Sequence, residues 1–241
     1  EIYTLSLHDA LPIWGAMWTL AFLSFISIFL IAGLKMKEIQ VSAKEENRNE
    51  KSRKMSFWKN PLFYVTGLLL FFYLGFENCV NGWFVTYFKN SGLMSQTFAN
   101  SLVSFTWGAV LIGRFSTAIL SSRFSKKTLI LTDCVAVSLF FVMMISSQSL
   151  VLTGCSIVGM GFFLAGIYPT AVSAAGPAIN GNDIGMSMLL AIAAFGGIIT
   201  PQIIGIIGDK TGLAGAIGML VVNVSAMIIL SVLYLLRKEK E

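Results

Sequence analysis

Residues 61–88 read PLFYVTGLLLFFYLGFENCVNGWFVTYF, in which Glu77 is the one charged residue. A run of about 20 apolar residues spans the hydrocarbon core of a bilayer as an α-helix. The apolar residues here fall on every side of a 3.6-residue helical wheel, leaving no polar stripe for water. The medium around such a helix is therefore lipid or other helices.

On either side of this stretch, runs of the same kind occupy Trp14–Leu34, Phe98–Leu120, Thr128–Ser146, Leu150–Ala175, Ile184–Ile207 and Leu213–Leu236. With 61–88 they predict seven spans in an all-α integral membrane protein. The chain is 56% hydrophobic and 12% charged, a composition that excludes a soluble enzyme. Its net charge of +5 does not mark a nucleic-acid partner, because the basic residues sit in loops and form no stripe on a folded face. The basic residues of Lys35–Lys59, then Arg123, Lys126 and Lys127, then Arg237, Lys238 and Lys240, share one side by alternation. The positive-inside rule makes that side cytoplasmic, so the linker 35–60 and the C-terminus are expected in the cytoplasm and the protein in the cell membrane, multi-pass. Lys89 and Lys210 lie opposite, and the turn Asn180–Asp183, also assigned inside, carries no cation. The linker, mixing Lys, Arg and Glu, suits a solvated connection or a surface helix near anionic headgroups. Short polar turns elsewhere imply antiparallel neighbours.

Residues 1–13, EIYTLSLHDALPI, match the in-frame translation of a short-read sequencing adapter. They are set aside as an assembly artefact, and the only histidine, His8, goes with them. The organisation expected is then a helix at 14–34, a linker at 35–60, a six-helix bundle at 61–236 and a tail at 237–241.

An ionisable side chain inside a span costs about 2.5–3.5 kcal/mol even on the mildest insertion scale, so each is a candidate for function. Glu77, Arg114 and Asp133 qualify. Tyr73, Glu77 and Asn81 recur at i, i+4 and i+8 and share one face, with Asn78 and Trp83 beside them. Carboxylates and amides hydrogen-bond hydroxyl groups, and an aromatic ring covers the apolar face of a sugar, so these five residues are candidate substrate contacts. The same stripe could instead join neighbouring helices. Arg114 and Asp133 are equidistant from the Ser121–Lys127 turn, which puts them at one depth in a hairpin where they could pair. Such a pair suits a structural tie or a gate better than a substrate contact.

Pro169 and Pro201 lack the N–H that would serve the carbonyls of Ala165 and Gly197. Breaks of this kind are tolerated where helices bend around a cavity. Gly196 and Gly197 with Pro201 are expected to bend their helix, although the small-xxx-small pairs Gly161/Ala165 and Ala193/Gly197 also fit close packing. Cys79, Cys134 and Cys155 form no metal-ligand pattern and read as packing residues. Asn223-Val224-Ser225 is a glycosylation sequon buried mid-span and is discarded. No nucleotide-binding, nucleophile or zinc motif occurs, so neither catalytic residue, cofactor nor metal is expected.

Ala118–Lys127, AILSSRFSKK, resembles the Gly-x-x-x-Asp-Arg-x-Gly-Arg-Arg cytoplasmic signature of the major facilitator superfamily. Arg123, Lys126 and Lys127 match its basic positions, while Ala118, Ser122 and Ser125 replace its glycines and acid. Gly-Arg-Phe at 113–115, Ser-Arg-Phe at 122–124, Tyr-Pro-Thr at 168–170 and G-G-x-x-x-P-x-x-x-G-x-x-x-D at 196–209 resemble the fucose permease branch, whose proteins are fucose:proton symporters. The resemblance implies the six-helix C-terminal bundle of a twelve-helix fold, preceded by one helix of the N-terminal half, and transport by alternating access. The implied partners are a small-molecule substrate, expected to be a sugar, the lipid bilayer, a coupling proton or sodium ion, and the missing N-terminal half of the same protein. Efflux of amphipathic compounds by the same fold, or a non-transporting membrane sensor or scaffold, are the alternatives. The chain by itself is expected to be inactive, since its cavity-facing polar residues would meet lipid.

Overall fold

Three helices begin where a short polar side chain can serve the orphan N–H groups of a first turn. Ser95 accepts from Phe98 N at 3.3 Å, Ser125 from Thr128 N at 3.2 Å, and Asn182 from Ile184 N and Gly185 N at 2.9 and 3.3 Å. The computed structural model describes residues 7–33, 57–90, 92, 94–179 and 182–237. Its helices are α1 (Leu7–Gly33), α2 (Pro61–Asn90), α3 (Gln96–Leu120), α4 (Lys126–Ser146), α5 (Leu150–Ala174), the short α6 (Gly176–Ile179), α7 (Asp183–Thr211), α8 (Leu213–Gly218) and α9 (Val221–Leu236).

α1 belongs to the first of two units, residues 1–47. It starts inside the stretch set aside as adapter and continues without a break through the span expected at 14–34, of which Leu34 lies outside the described residues. Ser24 and Ser27 donate back to the carbonyls of Leu20 and Ser24 at 2.8 and 2.7 Å, which hides both hydroxyls from an apolar medium.

In the second unit six stretches are long and apolar enough to cross a membrane: Pro61–Phe84, Thr97–Leu120, Lys126–Ser146, Leu150–Ile179, Asp183–Thr211 and Leu213–Leu236. They coincide with the six spans read after the linker. α7 runs further than expected, to Thr211, and the chain turns at Gly212, whose φ of 82° lies in the left-handed region open to glycine. Of the linker only its end, from Phe57, is described.

α2 and α5 are the most enclosed spans and α3 the least. α2 packs along α7 and α9, and α5 lies between α3 and α4, which scarcely touch each other. The consecutive helices α3 and α4 are therefore splayed by α5 and do not form the close hairpin expected from their short turn. Lipid supplies no hydrophobic drive for helices to associate, so close packing must hold them. α2 and α7 meet backbone to backbone: a β-carbon on Gly196 would lie inside the Phe71 carbonyl. Polar ties add to this. Asn223 donates to the Phe72 carbonyl at 3.2 Å and Tyr234 to the Ala174 carbonyl at 3.1 Å. Outward-facing Phe105, Leu111, Ile112, Phe115, Phe195 and Ile198 give the bundle an apolar exterior.

Candidate functional site

The stripe Tyr73, Glu77, Asn81 does share one face of α2, and that face looks toward α3 and α5. The Tyr73 hydroxyl donates to Glu77 Oε1 at 2.9 Å, one helical turn along. Across from it the Tyr168 ring of α5 lies 6.0 Å from the Tyr73 ring, centroid to centroid. Arg114 of α3 acts electrostatically on both Tyr73 and Glu77. Tyr73, Glu77 and Tyr168 thus form a polar cluster inside the bundle, with the exposed Arg114 in electrostatic range of it.

Arg114 and Tyr168 also line an open cavity of about 450 Å³ with Thr117, Ala118, Ser121, Lys126, Pro169, Thr170 and Ser173. Its wall is rich in hydroxyl groups and carries two cations. Arg114, Thr117 and Ser121 follow at i, i+3/i+4 intervals down α3, so the cavity runs from the cluster to the end of the bundle that bears the basic turn. Such a cleft can hold a small solute by hydrogen bonds, with the aromatic ring of Tyr168 beside it.

Arg114 does not pair with Asp133. Among the described residues no hydrogen bond or ion pair joins them, and Asp133 Oδ2 is left without a partner. Asp133 is 8% exposed. It faces Gly166 of α5, where a β-carbon would collide with both Asp133 Oδ2 and Thr117 Oγ1.

The other residues singled out in the sequence have distinct settings. Asn78 donates to the Gly197 carbonyl at 2.9 Å. That carbonyl is the one Pro201 leaves without its helical N–H, so a side chain from α2 makes good what the proline of α7 removes. Trp83 packs its ring against Gly205 of α7. Asn81 borders a separate cavity of about 80 Å³ with Phe84, Thr106 and Trp107. α5 and α7 run on as helices through Pro169 and Pro201.

The basic turn is tied to other helix ends. Lys126 donates to the Ser173 carbonyl and hydroxyl at 3.2 and 2.7 Å, and Lys127 to the Arg237 carbonyl at 2.7 Å. Arg123 is exposed. At the same time Asn60 reaches the Ala178 carbonyl at 3.5 Å and Phe57 packs against Gly185, which puts the linker end beside α6 and the start of α7. Cys79 and Cys134 are buried and Cys155 is exposed, all three as free thiols.

Tyr168 and Thr117 are the site residues that sequence reading passed over. Tyr168 stood in the Tyr-Pro-Thr motif and Thr117 lies one turn from Arg114. Both signals were present, but only the seating of α5 between α3 and α4 gives them meaning.

The family model for the Major Facilitator Superfamily matches residues 6–186. The chain belongs to that superfamily. Its fold is similar to that of a point-substituted form of the E. coli fucose:proton symporter FucP, with a TM-score of 0.69 at 18% identity over 87% of this chain and 52% of that one. A structure of FucP in the outward conformation gives a TM-score of 0.61, also at 18% identity, over 72% of this chain and 42% of that one. Among curated proteins, a glucose/galactose transporter of Brucella abortus biovar 1 (strain 9-941) is 26% identical over 208 residues, 85% of this chain and 49% of its own length. The glucose/mannose transporter GlcP of Bacillus subtilis (strain 168) is 37% identical over 106 residues, 43% of this chain and 26% of its own length. The chain spans about half the length of the Brucella relative. The superfamily resemblance read from 118–127 and from the 113–209 motifs is thereby shown, and the chain is a multi-pass membrane protein of a transporter superfamily.

Proposed function

We propose that this chain is the C-terminal six-helix half of a secondary transporter that moves a hexose or a similar polyol by alternating access. The observation that carries the reading is the Tyr73–Glu77 hydrogen bond at 2.9 Å beside the ring of Tyr168, which with Arg114 lines a hydroxyl-rich cavity. A carboxylate held this way keeps an oxygen free to accept from a sugar hydroxyl, while Arg114 and the hydroxyl groups of Thr117 and Ser121 offer donors. The names of the Brucella and Bacillus relatives, glucose/galactose and glucose/mannose transporter, support a hexose as the substrate class.

The basic end of the bundle is cytoplasmic in this reading, and the cavity opens toward it. An N-terminal bundle of the same protein closes the cleft from the other side. A proton or sodium ion drives the cycle. Efflux of amphipathic compounds is the less favoured alternative, because the apolar cavity beside Asn81 is about 80 Å³, below the roughly 300 Å³ at which ligand pockets begin.

Ligand-induced thermal stabilisation of the two-bundle protein in detergent tests the reading. Glucose, galactose, mannose and fucose are compared with an amphipathic cationic dye of the rhodamine class. A rise in melting temperature with one of the hexoses that is lost in Glu77→Gln supports it. Stabilisation by the dye alone contradicts it.

A further inference from the structure

We propose that Asp133 is a proton-binding site of this bundle, its carboxyl and the Thr117 hydroxyl both packed against the bare backbone of Gly166. The site is separate from the Tyr73–Glu77 cluster, and the inference stands whatever solute the cleft carries.

Asp133 is nine-tenths buried in a membrane span, and its Oδ2 has no hydrogen-bond partner. A carboxylate in that setting would be an uncompensated charge in an apolar medium, which is far costlier than the neutral acid. The charged and titratable groups around it do not relieve the charge. On α3, Arg114 lies one turn from Thr117 and lines the cavity; it is not bonded to Asp133. On α5 the facing residue is Gly166, and Tyr168, two residues on, lies against Tyr73. On α9, Tyr234 donates to the Ala174 carbonyl and carries the Lys127 ammonium 5.6 Å from its ring centroid. On α4 itself the neighbour is the buried thiol of Cys134, and Lys126 and Lys127 at the helix start bond to Ser173 and Arg237.

Gly166 is what makes the site. With no β-carbon there, the side chains of α3 and α4 reach across α5 and occupy the notch together. Thr117 also lines the open cavity, so it connects the buried carboxyl with cavity water. The step is simple: hydronium in the cavity gives up a proton, breaking one of its O–H bonds and leaving water, and the proton forms one O–H bond to a carboxylate oxygen of Asp133, beside Thr117 Oγ1. Loss of the proton reverses it. Two side chains and a glycine provide too few oxygens to surround a sodium ion, whereas a proton needs one.

Infrared spectroscopy of the full chain in lipid bilayers tests this. At neutral pH the wild type should show the C=O stretch of a protonated carboxylic acid, lost at alkaline pH. The band should shift in protein carrying ¹³C-labelled aspartate, vanish in Asp133→Asn, persist in Glu77→Gln, and move in frequency in Thr117→Val. The labelled wild type needs no substitution and so reads the acid even if Asp133→Asn fails to fold. Absence of the band, a band insensitive to aspartate labelling, or one abolished by sodium at constant pH would overturn the proposal.

Discussion

The Tyr73 hydroxyl hydrogen-bonds Glu77 Oε1 at 2.9 Å, one turn apart on α2, and so fixes the acid's orientation on that helix. A hydrogen bond to a charged group contributes about 1.5–3 kcal/mol, equivalent to roughly 10- to 100-fold in binding. Tyr73→Phe keeps the buried ring and removes this bond. It is expected to weaken solute binding about tenfold while leaving the fold intact, as measured by titration calorimetry beside a thermal melt.

Asn78 and Pro201 act as one unit. Asn78→Ala should destabilise the bundle by about 1–3 kcal/mol, because the Gly197 carbonyl is left with no donor. In a Pro201→Ala background the restored N–H at position 201 serves that carbonyl, and the cost of Asn78→Ala should fall close to zero. Unfolding of the four proteins of this cycle in mixed micelles measures the coupling. Additive costs would mean the two residues are independent.

The backbone contact of α2 with α7 leaves no room at Gly196. Gly196→Ala puts a methyl group into the Phe71 carbonyl, and a loss of about 1–3 kcal/mol or more is expected from such overpacking. Gly82→Ala, where a β-carbon meets open space, is the matched control and should leave the melting temperature unchanged.

Arg114 is expected to couple to Glu77, on which it acts electrostatically, and not to Asp133. The double variant Arg114→Gln with Asp133→Asn should show additive effects on stability, within about 0.5 kcal/mol. The double variant Arg114→Gln with Glu77→Gln should depart from additivity by more than that. The reverse pattern would restore the pairing that the sequence suggested.

Why the sequence suggested a pairing of Arg114 with Asp133 that the structure does not show has a physical answer. Length and hydropathy located all six spans after the linker, since a helix in lipid must satisfy its backbone internally and so declares itself within its own residues. The shared face of Tyr73, Glu77 and Asn81 was legible for the same reason: it is a property of one helix. The depth of Arg114 and Asp133 was read from a hairpin rule that treats consecutive helices as neighbours. The fold departs from the rule because α5 wedges between α3 and α4, and glycine positions 113, 161 and 166 let it sit there closely. Asn78 illustrates the converse: a polar side chain read as a substrate contact serves a carbonyl freed by a proline far away in the chain. Partnerships between helices depend on packing that no single span encodes.

Whether the Tyr73–Glu77 cluster binds sugar is decided by uptake of radiolabelled hexoses into vesicles carrying the bundle with its proposed N-terminal half, wild type beside Glu77→Gln. Saturable uptake of a hexose by the wild type, reduced at least about tenfold in the variant, is the expected result. Uptake of no hexose, or equal uptake by the two proteins, would contradict the reading of the cluster as a sugar site.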